Sequence, residues 1–80
     1  MRIRIKAFGR AKEIMDSSIV EIEVKDDLNT EELKEWLNEK YPRLRLLRSY
    51  MIALNNEYVR EPKIIQTIDE IAIIPPVSGG

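Results

Sequence analysis

The sequence predicts an α+β domain in which one main helix packs on one face of a mixed sheet. Two period-two segments open the chain, a capped amphipathic helix follows, and a nearly all-apolar segment sits close to the end. Eighty residues make a single domain, because compact domains rarely divide below roughly 100 residues. A chain this short encloses only a thin core, which favours a carrier, adaptor or subunit over a deep enclosed active site.

Residues 2–8, Arg-Ile-Arg-Ile-Lys-Ala-Phe, alternate polar and apolar and read as a strand. Gly9 breaks the alternation, and Arg10 to Met15 suit a short helical turn with Ala11, Ile14 and Met15 inward. After a turn at Asp16-Ser17, residues 18–24 alternate again, with Val20, Ile22 and Val24 on one face and Ile19, Glu21 and Glu23 on the other. Asn29 or Thr30 can cap the helix that follows, and Asn29 with Glu32 has capping-box spacing. Leu33, Trp36, Leu37 and Tyr41 form its apolar stripe, with Trp36 expected in the core, and Pro42 ends it.

Beyond Pro42, the alternation Arg43-Leu44-Arg45-Leu46 reads as an edge strand or loop with its arginines outward, and Arg48 is assigned to solvent with them. Residues 50–54 are a third strand, Asn55-Asn56-Glu57 a turn, and Tyr58-Val59-Arg60 a short return. Ile64 and Ile65 are expected to pack, and Thr67 to Glu70 to turn. Ile71-Ala72-Ile73-Ile74 has the composition of a central strand buried on both faces, best placed parallel to the first strand. Residues 1–74 thus form the domain and residues 75–80 an extended tail.

Composition narrows the chemistry. The chain has no Cys and no His, so disulfides, thiolate metal sites, cysteine nucleophiles and the commonest general base are all missing. A net charge of −1 gives no overall pull toward nucleic acid or an anionic membrane. No apolar run approaches the ~20 residues that span a bilayer, and the expectation is a cytoplasmic protein. Asp26-Asp27 is explained by helix entry and not by a metal. Arg2, Arg4 and Lys6 share one strand face, which reads as solvated or as docking an acidic partner.

The tail is where reactive chemistry remains. Pro75 and Pro76 end hydrogen-bonded pairing and launch an extended segment. Val77 and Ser78 are small, and Gly79 and Gly80 carry no side chain. A slender end of this kind can enter a narrow channel on another protein and present the Gly80 carboxylate. That group can be activated as an acyl-adenylate, and a sulfur nucleophile can displace AMP to leave a thiocarboxylate, with no cysteine needed on the carrier.

Ile-Ile-Pro-Pro-Val-Ser-Gly-Gly resembles the C-terminus of the MoaD family, the small subunit of molybdopterin synthase, among the MoaD/ThiS ubiquitin-like sulfur carriers. Ile5 through Gly9, Arg10 to Glu13, the helix from Thr30 and Ala53-Leu54-Asn55 match as well. The resemblance implies a ubiquitin-like β-grasp fold and a non-catalytic carrier with no bound cofactor, loaded at Gly80 by a MoeB-type adenylating enzyme that uses ATP. It implies insertion of Pro75 to Gly80 into a MoaE-type large subunit, where sulfur builds the dithiolene of the molybdenum or tungsten cofactor. Phe8, Ile73 and Ile74 are the expected docking residues. Relatives often carry aromatic residues before Pro-Pro, and Ile73 and Ile74 keep their apolar character without ring stacking. Diglycine equally suits a carrier for thiamin thiazole synthesis or tRNA thiolation, or a ubiquitin-like modifier that forms isopeptide bonds.

Overall fold

A computed structural model describes residues 1–47 and 49–75. The expectations for Arg48 and for Pro76, Val77, Ser78, Gly79 and Gly80 lie outside those residues.

The first alternating segment forms β1 (Arg2–Ala7), and the helical turn after it is α1 (Gly9–Met15). Asp16 ends α1 in the left-handed region and the chain returns as β2 (Ile19–Glu23), antiparallel to β1. The main helix α2 (Thr30–Lys40) begins with the predicted capping box: the Glu32 N–H donates to Asn29 Oδ1 at 2.8 Å and the Asn29 N–H donates to Glu32 Oε1 at 3.0 Å. Lys25 Nζ lies 2.6 Å from the same carboxylate, and with the Asn29 N–H it holds Glu32 below the ordinary value of 4.5. Replacing Asn29 with alanine is expected to cost about 1 kcal/mol, read as a lower urea midpoint with an unchanged slope.

Pro42 starts a 3-10 turn (Pro42–Leu46) where alternation predicted an edge strand or loop. The Leu44 N–H donates to Tyr41 O and the Leu47 N–H to Leu44 O, so spacing by three, not two, sets which side chains face inward. Leu44 is therefore buried while Arg43, Arg45 and Leu46 are exposed. Trp36, expected in the core, is half-buried and packs against it from the rim.

Strands β3 (Met51–Leu54) and β4 (Glu57–Tyr58) form a hairpin through Asn55-Asn56. Both asparagines have positive φ, 53° and 70°, as a two-residue turn with the twist of a hairpin requires. Asn55 also ties this turn to the approach of the last strand: its Oδ1 accepts from the Glu70 N–H and its Nδ2 donates to Asp69. Ile65 is buried as expected, but Ile64 is 61% exposed. Residues 63–65 bridge to the entry of α2 in extended form, so neighbouring side chains point opposite ways.

The last strand, β5 (Ile71–Ile74), lies between β1 and β3, parallel to the former, in the sheet order β2-β1-β5-β3-β4. This is the expected ubiquitin-like β-grasp. The register puts Ile3, Ile5, Ala7, Ile52, Leu54, Ile71 and Ile73 on one face, where Leu33, Leu37 and Leu44 close the core. The opposite face is open. Ala72 and Ile74 are only half-buried there, which corrects the expectation of a strand buried on both faces: α2, α1 and the 3-10 turn cover one face, and no described element covers the other.

Tyr50 joins the core beside α2, its hydroxyl donating to Asn38 Oδ1 at 2.7 Å. Burial pushes its phenol from 10.0 up to about 12. A folded value above the unfolded one means that the stabilisation is complete below pH 10.0 and lost as pH rises through about 12. Alkaline unfolding followed by circular dichroism and phenolate absorbance should therefore coincide in that window, and Tyr50→Phe should flatten it.

Candidate functional site: the base of the tail and the open sheet face

The tail leaves the sheet at its centre. Parallel pairing of β1 with β5 ends at Ala7 opposite Ile73, and the Phe8 N–H reaches Ile73 O at 3.4 Å. Pro75 has no N–H to continue the ladder. Beneath it, Gly9 turns the backbone with φ 54°, and a Cβ there would sit 3.1 Å from Pro75 Cγ. The first strand turns away into α1 at the point where the last strand runs out, so the tail's first residue rests on the β1–α1 corner.

The open face beside this point is apolar. Phe8 is 50% exposed, Ile74 is half-buried, and Met51 stands opposite Ile74 across the β3–β5 pair. A hollow of about 290 Å³ runs along the face, lined by Phe8, Ala53, Tyr58, Ala72 and Ile74 with Lys6 at its side. A second hollow, of about 400 Å³, lies on the other side of Phe8 between Lys6, Lys12 and Ile19.

Of the three expected docking residues, Phe8 and Ile74 come together on this face. Ile73 does not: it is fully buried against the helix side. Successive strand side chains point to opposite faces, so Ile73 and Ile74 cannot both be outward. Met51, Tyr58 and Ala72 join the face although sequence reasoning did not name them as docking residues. Met51-Ile52-Ala53-Leu54 is apolar throughout and carries no signal that separates its two faces, so only the strand register brings these side chains beside Phe8.

Among the described residues no group of three or more acidic residues could hold a metal ion, and no helix is long and apolar enough to cross a membrane. No buried side-chain polar atom among them lacks a hydrogen-bond partner. The described surface thus carries an apolar hollow beside Pro75, at the point where the last strand ends.

The sequence pattern of the ThiS family matches residues 5–80. The chain belongs to the ThiS family. This ThiS-family chain is 36% identical to the molybdopterin synthase sulfur carrier subunit of Arabidopsis thaliana over 81 aligned positions, covering 100% of this chain and 84% of the plant protein. Among solved structures it is similar to SAMP1, small archaeal modifier protein 1, of Haloferax volcanii, with 25% identity and a TM-score of 0.81 over the whole of both chains. It is also similar to a chain in the complex of subunits 1 and 2 of molybdopterin-converting factor from Helicobacter pylori, with 28% identity, a TM-score of 0.69 and full coverage of both chains.

Proposed function

We propose that this ThiS-family chain is the sulfur carrier subunit of a molybdopterin synthase, a non-catalytic protein that bears sulfur as a thiocarboxylate on Gly80. The observation that carries this reading is full-length similarity to molybdopterin synthase sulfur carrier subunits, in a chain whose matched region includes Pro75 to Gly80. In this reading a MoeB-type enzyme transfers AMP from ATP to the Gly80 carboxylate, releasing pyrophosphate. A sulfur nucleophile then displaces AMP and leaves the thiocarboxylate. The tail enters a MoaE-type large subunit that holds the pterin precursor, the sulfur is transferred, and hydrolysis restores the carboxylate.

The tertiary structure supports the division of labour. With neither Cys nor His in the chain, sulfur activation and transfer depend on residues supplied by the partners. What the chain supplies is position: Phe8 and Ile74 give an apolar seat beside the point where Pro75 leaves the sheet. The Helicobacter pylori complex shows a related protein assembled with a second subunit, which favours a large-subunit partner here. Incubation with the cognate adenylating enzyme, ATP and a sulfur donor should add the mass of one oxygen-to-sulfur exchange to the intact chain, and fragmentation should place it on Gly80. An unchanged mass with an enzyme that loads its own known carrier would overturn the proposal.

The likeness to SAMP1 favours a second reading, a modifier joined through Gly80 to lysines of other proteins. It calls for the same activated carboxylate with an amine in place of sulfur as the acceptor. A ladder of higher-mass conjugates that disappears with loss of Gly80 would establish it, and a single free band in cells that make molybdopterin would not.

A further inference from the structure

The antiparallel register of β1 with β2 sets each cation of the open face against a residue of β2. Arg2 stands opposite Glu23, Arg4 opposite Glu21, and Lys6 opposite Ile19. The first two positions are ion pairs, at 3.2 and 4.0 Å. The third breaks the pattern, and among the described residues no carboxylate comes within 4.0 Å of the Lys6 ammonium. On its other side β5 sets Ala72 beside Lys6, and the row continues through Ala53 to Tyr58. Lys6 is thus a single cation in a row otherwise made of Ile19, Ala72, Ala53 and Tyr58, and it lines both hollows that flank Phe8. Glu70 also borders the first hollow, but it makes no ion pair with Lys6, and its N–H is bonded to Asn55. Glu21, the nearest acid along β2, is taken up by Arg4.

An exposed ammonium in water needs no partner. Once a protein covers the apolar row, that ammonium loses solvent, and an uncompensated buried charge is strongly unfavourable. A covering surface is therefore tolerated only if it brings its own carboxylate to this point. We infer that Lys6 selects the chain's docking partner, pairing with a carboxylate that the large subunit of the synthase presents among apolar residues facing Phe8 and Ile74. The inference rests on the sulfur-carrier reading and adds to it a charge requirement at one position.

Binding of the full-length chain to the purified large subunit from the same organism, measured calorimetrically at low and at high salt, tests this. Lys6→Glu should weaken binding by on the order of thirtyfold or more, as expected when a close interfacial charge pair becomes a like-charge contact. Lys6→Leu should weaken it less and flatten its salt dependence, while Lys6→Arg should stay within about threefold of the wild type because it keeps the charge. Lys40→Glu, at the end of α2, is the charge control and should change little. Thermal melts of each variant would confirm that these exposed positions leave the fold intact. If Lys6→Glu and Lys6→Leu bind as tightly as the wild type, with the same salt slope, Lys6 has no selecting role although the carrier reading stands. If the wild type does not bind the large subunit at all, the carrier reading fails and this inference with it.

Discussion

Deletion of Gly80 will abolish sulfur loading while leaving the thermal stability of the domain within about 0.5 kcal/mol of the wild type. Gly80 carries no side chain, so its loss removes no apolar side chain, and every buried apolar residue among the described ones lies between Ile3 and Ile73. Loss of function is nonetheless complete in the proposed mechanism, because the new terminal carboxylate would fall one residue short of the adenylating and transferring groups. One residue of extended chain is about 3.3 Å, while reacting atoms must approach to about 3–3.5 Å. The check is paired: a melting curve that superimposes on that of the wild type, and an intact mass that does not rise under conditions that load the full chain. Loading of the truncated chain at an undiminished rate would show that the activated group is not where the proposal puts it.

Ile73→Ala is expected to lower stability by about 3–4 kcal/mol, the largest loss among the substitutions proposed for this chain. For an 80-residue domain total stability is on the order of 4–12 kcal/mol, so the variant approaches the unfolding threshold. Ile73 is fully buried, stands opposite Ala7 on one side and Ile52 on the other, and its carbonyl accepts from the Phe8 N–H. A methyl-lined gap at this point cannot be closed by moving one edge, because both neighbouring strands are fixed by their own pairings. The adjacent Ile74→Ala provides the contrast. Ile74 is half-buried on the open face, and its truncation should cost about 1 kcal/mol or less in urea unfolding while weakening large-subunit binding. Equal destabilisation by the two substitutions would contradict the assignment of Ile73 to the core and Ile74 to the open face.

Much of the fold was legible because its signals are local. Period-two alternation over residues 2–8 and 18–24, the Asn29/Glu32 capping box and the Asn55-Asn56 turn each depend on a few neighbouring residues, and each is present in the folded chain. The failures have local causes too. Arg43-Leu44-Arg45-Leu46 alternates like a strand, but Pro42 and the hydrogen bonds from Leu44 and Leu47 wind it into a 3-10 turn. Ile71 to Ile74 is apolar throughout, so composition alone gave no means of separating the residues that enter the core from those that face outward.

The order of strands and helices, the place of the main helix, the absence of cysteine and histidine chemistry and the exceptional character of residues 75–80 all follow from the linear chain. They do so because backbone preference, side-chain period and residue type act over a few positions. Which of Ile73 and Ile74 enters the core and which lies on the open face, and the pairing of Arg2 and Arg4 but not Lys6 with β2 carboxylates, depend on the register between strands distant in sequence. A shift of one residue in that register would turn every side chain to the other face, and the register is set by packing the assembled sheet against α2.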